Sequence, residues 1–229
     1  PDNTSDTMLL VRHVYQYLLH NATKEYHSAL QEAFLAQDNS LKQLRQPALC
    51  PEELKEITAA KGGTSTLTFR HILVNPLKKG EQEVIHTLGY LLQLTNDMFD
   101  VYKDYHQQQQ TLFTHSKNIT VILKEYENTY YHMTRQFLNL EYDHQLKIKC
   151  LCGISAIISR GMVCAGQLLH CQKENQDRFE IEKHTRRQLV CDMEKRSNIL
   201  KSIQYSASYL ASLKTYPKSK TAERIPVLN

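Results

Sequence analysis

The segment Gly89-Tyr-Leu-Leu-Gln-Leu-Thr-Asn-Asp-Met-Phe-Asp-Val-Tyr-Lys-Asp104 lies within the strongest helical pattern of the chain, which spans residues 81–105. Its apolar residues are spread around most of the circumference of a helix, which predicts that the helix is largely buried. They are Leu88, Leu91, Leu92, Leu94, Met98, Phe99 and Val101. A buried helix of this length must be surrounded by other elements of a core, and the flanking sequence predicts that these are helices too.

The rest of the chain predicts an all-α fold, a single helical bundle over residues 1–213 with an irregular tail at 214–229. Glycine and proline are sparse, with seven and six residues, and no segment alternates cleanly enough for a strand. A first helix is predicted to follow a cap at Ser5 or Thr4, a second follows Thr23 to about Gln37, and the glutamine run 107–110 is expected to be a solvated connection. Further helices are predicted from Pro51 to Gly62-Gly63, from Thr64 or Ser65 to Asn75-Pro76, and over 117–139, 143–171 and 177–213.

Composition excludes several classes of protein. Apolar residues make up 41% and charged residues 23%, which is ordinary for a globular domain, and the net charge of +4 is scattered, which argues against nucleic-acid binding. No apolar run approaches the roughly 20 residues that span a bilayer, so no transmembrane segment is expected. The first residues do not resemble a signal peptide and the six cysteines form no C-x-x-C pair, so we expect a cytoplasmic protein with reduced thiols.

Oxygen-bearing side chains recur every four residues on the 81–105 helix. Asn96, Asp100 and Asp104 form a column, which Gln93 continues, because residues four apart share a helix face. Such a column can offer oxygen ligands to Mg²⁺, which keeps several waters and bridges to phosphates. The alternative is that the acidic residues form the solvated side of an amphipathic helix. Against this, buried carboxylates stacked in this way repel one another unless a cation compensates them.

The pattern Gln93-Leu-Thr-Asn96-x-x-x-Asp100-Val-x-x-Asp104 resembles the second aspartate-rich motif of squalene and phytoene synthases. The pattern Asn96-Asp97-x-x-Asp100-x-x-x-Asp104 is similar to the metal triad of terpene cyclases, with Asp100 where those enzymes commonly have Ser or Thr. The Gln-x-x-Asp-Asp-x-x-Asp helix of chain-elongating prenyltransferases matches at Gln93, Asn96, Asp97 and Asp100. All three groups are class I isoprenoid synthases.

This resemblance implies the class I isoprenoid synthase fold, in which the helix supplies Mg²⁺ ligands that face a cavity in the bundle. It implies that Asn96, Asp100, Asp104 and Asp97 hold Mg²⁺ and that the substrate is an isoprenoid diphosphate. The implied reaction is ionisation of a prenyl diphosphate, followed by coupling or by cyclisation. The protein would then be a prenyltransferase or a terpene synthase, and the sequence leaves a homodimer open.

A second stretch, Lys61-Gly-Gly-Thr64-Ser65-Thr66-Leu67, resembles the Lys-Thr-containing helix break of the same superfamily. A glycine break exposes backbone N–H groups towards an anion, and Lys61 adds positive charge. The resemblance implies that Lys61 and Thr64 bind the diphosphate, with Arg70 and Gln93 in supporting positions. A plain helix end, with Gly-Gly followed by a capping Thr, remains open as the alternative.

The superfamily also carries a first aspartate-rich motif on an earlier helix. In the superfamily this first motif is separated from the second by several helices, and usually by more residues than precede Asn96 here, although Asp2 and Asp6 have a four-residue spacing. We therefore expect either that the sequence lacks its natural N-terminal part or that the first metal cluster is degenerate. The second case makes the protein a non-catalytic helical protein with half a metal site. A third alternative is a di-iron bundle, from the pairs Glu83-x-x-His86 and Glu141-x-x-His144.

Overall fold

A computed structural model describes residues 3–44, 47–73 and 75–214. The all-α prediction is confirmed: these residues form helices joined by short loops and contain no strand. The α-helices are α1 Asn3–Asn21, α2 Lys24–Ser40, α3 Pro51–His71, α4 Glu81–His106, α5 Leu112–His115, α6 Ile119–Leu138, α7 His144–Glu174, α8 Arg186–Leu189 and α9 Arg196–Lys214. Short 3-10 turns occupy Leu41–Leu44 and Ile181–Lys183. The predicted tail at 214–229, apart from the last residue of α9, lies outside the described residues, as does Asp2.

Two helix starts follow the sequence signals. The Thr23 hydroxyl accepts a hydrogen bond of 3.2 Å from the Tyr26 N–H and caps α2. Pro51 occupies the first turn of α3, where its missing N–H costs nothing, and the Glu53 carboxylate accepts a 2.8 Å bond from the Cys50 N–H. Both starts were predicted from Thr23 and Pro51.

The prediction that a helix ends at Gly62-Gly63 and another begins at Thr64 is wrong. α3 runs through both glycines and ends at His71. A Cβ atom on Gly62 would collide with the carbonyl oxygen of Gly89, and one on Gly89 would collide with that of Gly62. The backbones of α3 and α4 therefore touch at this crossing. Two glycines within a helix are unfavourable by about 1 kcal/mol each, and this close packing offsets that cost.

Two further predictions need correction. The continuous helix predicted over 177–213 is wrong. Gln176 and Asp177 adopt positive φ just after the end of α7, which is incompatible with a helix there. Only a 3-10 turn and the short helix α8 form before α9 begins at Arg196. The glutamine run is not fully solvated either. Gln110 is buried, its carbonyl accepts a 2.7 Å bond from Gln43 Nε2, and its side-chain oxygen accepts a 2.7 Å bond from the Leu49 N–H.

The core surrounds α4, which packs against α3, α6 and α7. Large fully buried side chains of this core include Leu91, Leu94, Met98, Tyr126, Met133, Leu151 and Ile158. α7 is long and apolar enough, by length and composition, to cross a membrane, which the search for apolar runs in the sequence had not suggested. Within the bundle, 56% of its most apolar stretch is buried. A central helix of a folded bundle has the same length and composition, so this is weak evidence for a membrane span.

Candidate metal and diphosphate site

The helix predicted over 81–105 is confirmed as α4, and its acidic residues lie at different depths. Asp97 and Asp104 are each 3% exposed, Asp100 is half-buried and Asn96 is exposed. Helix geometry explains the difference. A step of four residues turns the chain about 40° past a full circle, so Asn96 and Asp104 point about 80° apart, whereas Asp97 and Asp104, seven residues apart, differ by only about 20°. The buried pair is therefore Asp97 and Asp104, with Asp100 beside them.

Asp97 is held by one polar neighbour on its own helix. Gln93 Nε2 donates a hydrogen bond of 2.8 Å to Asp97 Oδ1. Burial raises the pKa of Asp97 to about 7, and the nearby Asp104 acts in the same direction, against the hydrogen bond and the positive charge of Lys61. The ionised form of this carboxyl is therefore poorly compensated by the protein.

The negative charge of the Asp104 carboxylate is compensated by hydrogen bonds even less than that of Asp97. Burial raises its pKa to about 6, and the charge of Asp100 adds to the shift, against Lys103 and Lys61. Among the described residues, no protein group donates a hydrogen bond to its carboxylate. Asp100 lies towards solvent, where Lys103 Nζ is 3.2 Å from Asp100 Oδ2 and Asn96 Nδ2 is 3.5 Å from the same oxygen. The face that joins these three aspartates is called the acidic face of α4 below.

Lys61 projects from α3 towards the acidic face. It is half-buried, and its charge lowers the pKa of both Asp97 and Asp104. It occupies this place because the contact between Gly62 and Gly89 brings the two helix backbones together one residue away. Thr64, predicted beside it, instead donates its hydroxyl to the Ala60 carbonyl at 2.7 Å within α3. Lys61, Gln93 and the aspartates are thus brought together, whereas the Thr64 hydroxyl is used within its own helix.

Arg70 lies at the other end of the α3–α4 pair. Its guanidinium donates to Glu81 at 2.6 Å and to the Tyr142 hydroxyl at 3.1 Å, and Tyr142 donates to Glu81 at 2.7 Å. Glu81 precedes Asp97 by sixteen residues, which is about 24 Å along a helix. The assignment of Arg70 to diphosphate binding stays a prediction, and its guanidinium is already engaged in a largely buried ion pair.

A polar group that the sequence reasoning missed borders the acidic face. Tyr90 donates its hydroxyl to Glu125 Oε1 at 3.2 Å, and Lys55 Nζ lies 2.6 Å from the same oxygen. Burial and the charges of Glu125 and Asp97 raise the pKa of Tyr90, so it stays a neutral donor. The position of Tyr90, seven residues before Asp97, was a signal that both share one helix face. Glu125 on α6 gave no such signal, because its partners come from other helices.

The carboxylates of the acidic face suit a cation that keeps much of its hydration shell when it binds. Within the described ranges, no three His, Cys, Asp or Glu side chains converge closely enough to hold a metal ion between them. Mg²⁺ does not require this, since it commonly takes one or two carboxylates and completes its shell with waters and phosphate oxygens. A di-iron site is less well matched, because Glu83, Glu141 and His144 are exposed and His86 packs against Gly63.

No protein-family model, curated protein or solved structure matches the chain. The likeness to class I isoprenoid synthases therefore rests on two stretches of the sequence, Gln93–Asp104 and Lys61–Leu67.

Proposed function

We propose that the acidic face of α4 binds Mg²⁺ together with an isoprenoid diphosphate, in an enzyme that ionises a prenyl diphosphate for coupling or cyclisation. The observation that carries this proposal is the burial of Asp97 and Asp104 on one helix face beside Asp100. Burial raises the pKa of Asp97 and Asp104 and so disfavours the ionisation of these two carboxyls, and a divalent cation reverses that preference. The motif that runs from Gln93 to Asp104 supplies the class of substrate.

Each residue has a distinct task in this proposal. Gln93 orients the Asp97 carboxylate through its 2.8 Å hydrogen bond. Asp104 and Asp100 offer carboxylate oxygens to Mg²⁺, which when bound supplies charge neutralisation for the departing diphosphate. Lys61 contributes a positive charge that attracts phosphate oxygens to the same place. Asn96, at the exposed edge, can contribute an amide oxygen beside Asp100.

The second candidate is a diphosphate-binding protein that does not catalyse ionisation. It is favoured by the spacing of the carboxylates, because in the described part of the chain no three His, Cys, Asp or Glu side chains, those of the acidic face included, lie close enough to hold a metal ion between them. A class I reaction grips the diphosphate from two sides, so that several cations share the charge as the carbon–oxygen bond breaks. For this second candidate we expect the chain of 229 residues to bind a prenyl diphosphate and to release little pyrophosphate from it, whereas the first candidate predicts Mg²⁺-dependent release of pyrophosphate.

Thermal unfolding with an unreactive thio analogue of farnesyl diphosphate tests the binding. Ligand at 100 times its Kd stabilises the folded state by about 2.7 kcal/mol, which raises the Tm of a chain of this size by about 5–10 °C. We expect that rise with Mg²⁺ and not with EDTA. Asp104→Asn should lose most of it, whereas Asp177→Asn, the same change at an exposed loop position, should keep it. Equal rises in both variants would exclude the acidic face as the binding site.

A further inference from the structure

Two cysteine thiols meet where α7 packs against the segment that follows α8. They belong to Cys164, in the middle of α7, and to Cys191, two residues after the end of α8. Both residues are buried, Cys164 completely and Cys191 with 6% of its surface exposed. A hydrogen bond joins the two thiols, and its effect on the pKa of each cysteine is larger than the effect of burial.

Hydrogen bonds from α7 hold the segment that carries Cys191 in this place. Gln167 Nε2 donates to the Gln188 carbonyl at 2.6 Å and to the Val190 carbonyl at 3.1 Å. Gln167 lies three residues after Cys164, so the two side chains are neighbours on one face of α7. The bond to Val190 therefore brings the next residue, Cys191, beside the turn of α7 that carries Cys164.

The two thiols differ in how readily they ionise. The hydrogen bond between them and burial raise the pKa of Cys164 well above its usual value, so this residue stays a thiol. The same hydrogen bond lowers the pKa of Cys191, and the charges of Lys195 and Lys201 act in the same direction, against burial and Asp192. Since the thiolate is the form that oxidants attack, Cys191 is the more reactive member of the pair and Cys164 is its neighbouring thiol.

We propose that Cys164 and Cys191 form a reversible disulfide when the chain is oxidised by hydrogen peroxide. In the first step the Cys191 thiolate attacks one peroxide oxygen: a sulfur–oxygen bond forms, the oxygen–oxygen bond breaks, and hydroxide leaves to take up the proton that Cys191 lost. In the second step the Cys164 sulfur attacks the Cys191 sulfur. The sulfur–sulfur bond forms, the sulfur–oxygen bond breaks, and the Cys164 proton leaves with that oxygen as water. Two thiols and one peroxide thus give one disulfide and two waters.

This disulfide would fasten the connection between α7 and α9 to the core of the bundle. Residues 175–195 of this connection form only a 3-10 turn and the short helix α8. The bond closes the loop from Cys164 to Cys191, which reduces the conformational freedom of the unfolded chain and so stabilises the folded one. Thiol reductants reverse the bond by exchange. The redox state of the pair would thereby set how firmly the connection is held against α7.

Tryptic mapping of the natural chain tests the bond. The chain is treated with hydrogen peroxide, its remaining thiols are alkylated in urea, and it is digested with trypsin. Trypsin releases Cys164 in the peptide 161–173 and Cys191 in the peptide 188–195. We expect these two peptides to stay joined, with a mass two hydrogens below their sum, and to separate in dithiothreitol. Separate peptides from a chain whose exposed Cys150 has been oxidised would overturn the proposal.

Two serine variants identify the cysteines in the joined peptides. Cys164→Ser should abolish the joining, and its hydroxyl can replace the thiol that lies 3.3 Å from the Met98 carbonyl oxygen. The peptide 161–173 also contains Cys171, which is buried on the same helix, so Cys171→Ser is the matched control and should keep the joining. Joined peptides in Cys164→Ser, or their loss in a folded Cys171→Ser, would contradict the pairing.

Thermal unfolding tests the effect of the bond on the fold. The Tm of the natural chain should rise after peroxide treatment and return to its first value in dithiothreitol, because the bond restricts only the unfolded chain. Cys164→Ser, which cannot form the bond, should show no such rise. An oxidised natural chain that contains the joined peptides and has an unchanged Tm would refute the fastening of the connection to α7.

Discussion

Asp97→Asn removes a buried carboxyl while keeping its shape and the oxygen that Gln93 Nε2 contacts. The pKa of Asp97 is raised from 3.8 to about 7 in the folded protein. The folded state therefore binds more protons than the unfolded state between about pH 4 and pH 7, so that this residue lowers the free energy of unfolding as pH rises through that range. Above pH 7 the loss amounts to about 4 kcal/mol, from 1.36 kcal/mol for each unit of pKa.

We expect Asp97→Asn to be more stable than the natural protein at pH 8, by about 2–4 kcal/mol, and we expect this difference to be about 2.7 kcal/mol smaller at pH 5, which is two units below the folded pKa. The upper value applies if the new amide N–H finds an acceptor. Urea unfolding followed by circular dichroism, in EDTA, gives both free energies. Comparing the two proteins at each pH cancels the contribution of those titrating groups that do not interact with Asp97.

Asp177→Asn serves as the control, since it makes the same change in charge at an exposed position and should give equal differences at both pH values. Mg²⁺ with pyrophosphate should reverse the order at pH 8, because the natural carboxylate then has its cation. A natural protein that is more stable at pH 8 than Asp97→Asn without metal would refute the argument that burial leaves this carboxylate uncompensated.

Two further predictions concern the helix pair that holds the site. Gly62→Ala should destabilise the fold by about 3 kcal/mol in urea unfolding, because the added Cβ collides with the Gly89 backbone, whereas Gly153→Ala, with open space around it, should be neutral or slightly stabilising. Equal effects of the two alanines would disprove the close contact. Arg70→Met should cost about 3–5 kcal/mol by leaving Glu81 buried without its partner, and Arg70→Met with Glu81→Leu should recover much of it. A double variant no more stable than the single one would contradict the ion-pair account.

Helices could be predicted from the sequence where local pattern determines them. The apolar periodicity around Leu91, Leu94 and Met98 predicted α4 almost to the residue, and Thr23 and Pro51 predicted two helix starts. Gly62-Gly63 could not be interpreted in this way. The structural role of these two glycines depends on a contact with Gly89 in another helix, and the sequence alone does not indicate that contact.

In the candidate site, too, local pattern could be predicted from the sequence, whereas contacts between helices could not. The spacing of four residues identified the acidic side of α4 but gave no order of depth for its members, since an α-helix has 3.6 residues per turn and residues four apart drift around the helix. Asn96 therefore lies at the exposed edge, and Asp97, which the column leaves out, is buried. The ion pair of Arg70 could not be predicted from the sequence, because its partner Glu81 belongs to the next helix.

Calorimetric titration tests the central claim most directly, with the natural chain, Mg²⁺ and the thio analogue of farnesyl diphosphate at pH 7.5. The account predicts saturable binding of one diphosphate per chain that disappears in EDTA and is weakened at least tenfold, about 1.4 kcal/mol, in Asp104→Asn. Binding that is independent of Mg²⁺, or no heat at any ligand concentration with a folded protein, would contradict it.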